Sequence, residues 1–75
     1  MDKQVEIQLI IDDLKFQIEK NKEDQEYCRL QKEQAGDGVV QMLDEKLNEL
    51  KLQEKQLKHF LERAENEISK SKQPI

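Results

Sequence analysis

From Val40 onward, apolar side chains recur at alternating steps of three and four residues. They are Val40, Leu43, Leu47, Leu50, Leu57, Leu61, Ala64 and Ile68, with the single charged residue Glu54 filling the remaining step. A repeat averaging 3.5 residues keeps those side chains on one narrow stripe of a helix, which is the seam of a coiled coil. Upstream the same alternation runs through Ile7, Ile11, Leu14, Ile18, Asn21, Gln25, Cys28 and Lys32, strongly apolar at first and polar toward its end. The pattern predicts two long helices, over about 3–35 and 39–70, with a short frayed tail over 71–75 where Pro74 cannot extend a helix.

Between the two seams lies Gln34-Ala35-Gly36-Asp37-Gly38-Val39-Val40. Gly36 suits a left-handed helix C-cap, and Asp37 can accept hydrogen bonds from the free N–H groups that open the next helix, so a turn is expected at 36–38. Heptad phase tests the alternative of one unbroken rod. Continuing the first seam past the glycines lands on Val39, Met42, Lys46, Glu49 and Gln53, mostly polar, so the second seam has slipped by one residue. A rod would bury lysine and glutamate, whereas a turn lets each helix keep its own register.

Folding the chain back about Asp37 and Gly38 pairs residues whose numbers sum to 75: Cys28 with Leu47, Gln25 with Leu50, Ile18 with Leu57, Ile11 with Ala64. The layer left over sets Asn21 against Glu54, so the one charge of the second seam meets a polar residue of the first. Leucine in place of Glu54 would leave the amide unpaired, a mismatch of about 1 to 3 kcal/mol. Sliding the helices by one turn would break the match, so this layer is expected to set the register at some expense in stability. The fold class is all-α: an antiparallel helical hairpin, a two-helix coiled coil occupying residues 1–75 as one domain.

Composition sharpens this picture. With 40% charged and 35% hydrophobic residues in 75 positions, the chain has little material for a private core, and dimerisation of two hairpins into a four-helix bundle is expected. A formal charge of −4 argues against general nucleic-acid binding. One cysteine cannot form an internal disulfide, no apolar run approaches a membrane span, and the start carries no signal-peptide pattern, which together suggest a soluble cytoplasmic protein.

The heptad also sorts the remaining side chains. Ile10, Val39 and Phe60 fall at g positions along one side of the hairpin, with Tyr27 and Met42 just outside it. The e positions on the opposite side carry Lys15, Lys22, Arg29, Lys51 and Lys58, against the acids Asp44 and Glu65. Leu9, Phe16, Leu30 and Leu52 sit at f positions, which a lone two-stranded coil leaves in water, and Val5, Leu9, Ile10 and Phe16 make the first helix apolar nearly all round. Val5, Leu9, Ile10, Phe16 and Phe60 are therefore the candidate protein interface, for a second copy of the chain and for another protein.

Machinery for catalysis is not visible. Gly36-Asp37-Gly38 matches neither phosphate-binding glycine motif, His59 stands alone at an f position, and Cys28 lies in the seam far from that histidine. No cofactor or metal is implied. The expected function is that of a non-enzymatic, self-associating interaction module: an adaptor, assembly factor, small chaperone or inhibitor. Two alternatives remain. One is an RNA-binding dimer using the cationic edge, a plan that resembles the Rop type of small bundle in architecture and not in sequence; aromatic stacking partners are missing from that edge. The other is a purely structural coiled-coil spacer.

Overall fold

A computed structural model describes residues 3–72. They form two helices, α1 (Lys3–Gln34) and α2 (Asp37–Lys72), packed together along their length as a hairpin measuring 60 × 16 × 14 Å. Both elements follow from composition: Glu, Lys, Gln and Leu dominate, and the only proline, Pro74, lies outside them. A helix of 36 residues extends about 54 Å, so α2 alone accounts for nearly the whole length of the molecule.

The buried stripe is the one the spacing predicts. Every residue of both seams, from Ile7 to Lys32 and from Val40 to Ile68, is buried or half-buried, while Val39, Met42, Lys46, Glu49 and Gln53, where an unbroken first seam would have continued, are all exposed. Ile11, Ile18, Cys28, Leu47 and Leu50 form the apolar core, with Leu43 packed against the Cys28, Leu47 and Leu50 cluster near the turn. The polar contacts between the helices join residues 21 to 50, 21 to 53, 25 to 54 and 32 to 44, pairs whose sums fall on both sides of 75.

The turn is tighter than expected. α1 ends at Gln34 and α2 begins at Asp37, leaving only Ala35 and Gly36 between them, and Gly38 belongs to the first turn of α2. Gly36 does not take a left-handed conformation, since neither glycine has positive φ. It acts instead at the N-cap of α2, its carbonyl accepting from the Val39 and Val40 amides at 3.0 and 2.9 Å. Asp37 is accordingly the first helical residue, where a carboxylate sits favourably at the positive end of the helix dipole. Starting α2 early satisfies amides that a three-residue turn would leave free. α2 also runs two residues past the expected 70, to Lys72, and the remainder of the expected tail, 73–75, lies outside the described residues.

Candidate functional site

Two features stand out from the seam: a polar layer at mid-length and an apolar face over the g positions. In the polar layer Asn21 is 4% and Gln25 is 5% exposed, the only buried polar residues among those described. Asn21 Nδ2 donates to the Leu50 carbonyl at 3.0 Å, and more weakly to Gln53 Oε1 at 3.4 Å. Gln25 Nε2 donates to Asn21 Oδ1 at 2.6 Å and to Glu54 Oε1 at 3.0 Å. The amide that reaches Glu54 is thus that of Gln25, one turn along α1 from Asn21, because the longer glutamine side chain spans the diagonal between the helices. Among the described residues no buried side-chain polar atom lacks a partner, as a low-dielectric interior requires.

Glu54 is held below the usual carboxylate range. The hydrogen bond from Gln25 is the largest cause; partial burial opposes it, and Lys58, at 3.3 Å, with Lys22 farther off, adds to the lowering. The anion is the form this layer accepts. The groups around the carboxylate are the Gln25 amide and the ammonium ions of Lys58 and Lys22.

The candidate interface residues divide between two places. Ile10 lies on the g face with Phe16 at its rim; Phe60, also at a g position, stands at the edge between that face and the outer side of α2, where it lines a depression of about 480 Å³ with Leu52, Lys55, Gln56 and His59, whereas helix geometry puts Val5 and Leu9 on the outer flank of α1. All five are exposed, and so are Tyr27, Leu30, Val39, Met42 and Leu52. Three depressions run along the g face. The largest, about 520 Å³, lies beside the turn, with Cys28, Leu43 and Leu50 at its floor, Tyr27, Val39 and Met42 as walls, and Asp24 and Lys46 at its rim. A second of about 220 Å³ includes Phe16, Lys20, Asp24 and Gln53, and a third of about 230 Å³ lies between Ile10 and Arg63. The walls of the largest lie on the side that the heptad marks with Val39, Tyr27 and Met42, but its floor is made of seam residues, whose burial by the other helix is legible in the sequence and whose exposure to one side is not.

On the opposite side, Arg29 meets Glu26 on its own helix at 3.5 Å and Lys58 meets Glu54, so two of the five edge cations already face acids. Lys32, at the end of the first seam, pairs across the hairpin with Asp44. The His59 ring lies tilted beside that of Phe60, with ring centroids 6.2 Å apart. Among the described residues no group of His, Cys, Asp and Glu could hold a metal ion, and no helix is long and apolar enough to cross a membrane.

Comparison with known proteins returns no matching family model, no similar curated protein and no similar solved structure.

Proposed function

We propose that the protein is a non-enzymatic helical hairpin that self-associates into a four-helix bundle and works as a protein-interaction module. The observation that carries this reading is surface. The chain exposes 6147 Å². A monomeric globular protein of 9.0 kDa exposes about 4,900 Å². The excess of roughly 1,300 Å² is more than the about 800 Å² that each partner contributes to a standard interface. Among the described residues ten large apolar side chains, each about half exposed or more, lie on that surface, twice as many as the five apolar side chains that are buried. A hairpin built this way gains more by covering its faces than by standing alone.

The g face serves the second copy. The outer flank of α1, with Val5 and Leu9, remains for a different protein, which an amphipathic helix of that partner would contact at one-turn spacing. The cationic edge selects orientation through charge and supports nucleic-acid binding less well, because Arg29 and Lys58 are engaged with acids.

Sedimentation equilibrium over a range of concentrations tests the proposal. A mass twice the 9.0 kDa of the chain at micromolar concentration is the expected result. A fully helical chain that stays at the monomer mass up to about 1 mM, a Kd range corresponding to only some 4 kcal/mol of association, would overturn it.

A further inference from the structure

The apolar g face carries both halves of a self-complementary contact, and we infer that two copies join through it in antiparallel fashion, with Phe60 of each seated in the groove of the other. This rests on the self-association proposed above and adds the face, the orientation and the contact.

The argument is one of heights along the hairpin. Phe60 lies six residues from Glu54 toward the open end, about 9 Å at 1.5 Å per residue. Leu47, at the level of the large groove, lies seven residues from Glu54 toward the turn, about 10 Å. A two-fold axis crossing the hairpin at the polar layer therefore exchanges the two heights and delivers each Phe60, 52% exposed, to the other copy's groove. The same rotation carries Ile10, eleven residues from Asn21, to the level of Met42, twelve residues from Glu54. Met42, the most exposed large apolar side chain of those described, then lies over the depression beside Ile10 and Arg63.

Charge favours the same orientation. Lys20 and Asp24 both line the central depression, so the rotation brings each Lys20 to within two residues, about 3 Å, of the height of the other copy's Asp24. A parallel pairing, which lays α1 of one copy over α2 of the other at equal heights, would take Lys20 away from the other copy's Asp24 and set groove against groove, leaving both grooves of about 520 Å³ unfilled. Isologous contacts of this kind close on themselves, so association stops at the dimer.

Photo-crosslinking from p-benzoylphenylalanine at position 60, with light and isotope-labelled chains mixed, reads the contact directly. The expected adduct joins Phe60's position to the segment containing Met42 and Leu47, or to Tyr27, of the other copy. Phe60→Asp should weaken dimerisation about 100-fold, since each dimer loses two side chains worth about tenfold apiece. Lys20→Asp and Asp24→Lys should each weaken it about tenfold, and the two together should restore it. Circular dichroism confirms that the variants remain helical. A dimer whose adducts join position 60 to position 60, or reach the cationic edge, overturns this inference and leaves self-association standing. A wild-type monomer overturns both.

Discussion

Asn21 offers the sharpest test of how the interior is held together. Its side chain is 4% exposed, donates to the Leu50 carbonyl at 3.0 Å and accepts from Gln25 at 2.6 Å. Asn21→Ala removes both bonds, each worth about 1 kcal/mol net, and leaves one N–H of Gln25 without its acceptor at a further cost of about 1 kcal/mol or more. Alanine returns up to about 0.7 kcal/mol in helix propensity. The expected net loss is about 2 kcal/mol, which for a chain of this size lowers the melting temperature by about 8 to 16 °C. Asn21→Leu loses the same bonds but buries an apolar side chain in the seam, worth about 1.5 to 3 kcal/mol, and should melt within about 6 °C of wild type. Far-ultraviolet circular dichroism, with all three proteins at one chain concentration because association itself shifts the transition, makes the comparison. Alanine and leucine variants that melt together, both close to wild type, would show that position 21 does not face the interior and would refute the reasoning.

Three further outcomes are expected. Replacing Asn21, Gln25 and Glu54 together with leucine should raise the melting temperature yet broaden the distance between spin labels at the exposed positions 19 and 56, which lie at equal height; a single narrow distance in that variant would show that the polar layer does not set the register. Because Glu54 titrates below its unfolded value, its contribution to stability is complete above the ordinary glutamate pKa of about 4.3 and is lost as the pH falls through the lower folded value. Glu54→Gln should therefore show a smaller loss of melting temperature than wild type across that acid window, and parallel curves would count against the Gln25 and Lys58 contacts. Gly38→Ala should stabilise by about 0.4 to 1 kcal/mol through the unfolded state, since Gly38 is helical, lacks positive φ and has nothing within 4 Å of an added Cβ; urea denaturation that shows a loss instead would mean that the glycine serves the turn.

Much of the hairpin was legible because helical periodicity is local. A side chain three or four residues from its neighbour shares its face whatever else the chain does, so the seams from Ile7 to Lys32 and from Val40 to Ile68 could be read directly, and the one-residue slip between them required the chain to fold back. The lone acid in the second seam pointed to Asn21 as its partner, and the packing gives it Gln25 instead. The identity of each hydrogen-bonding partner was not legible. The spacing set Asn21 opposite Glu54 and Gln25 opposite Leu50, and only the lengths of their side chains and the offset of the helices gave Glu54 to Gln25 and the Leu50 carbonyl to Asn21.

The turn and the groove belong to the tertiary structure for related reasons. Gly36 is compatible with a left-handed cap, but the requirement that α2 enter in register with α1 put it at a helix N-cap instead. Composition and spacing alone determined two long helices and the stripe each would bury. Where Cys28, Leu43 and Leu50 stay open to one side, and how far Phe60 lies from that opening, was decided by the packing of one helix on the other, because a groove is the space between two surfaces and neither helix carries it alone.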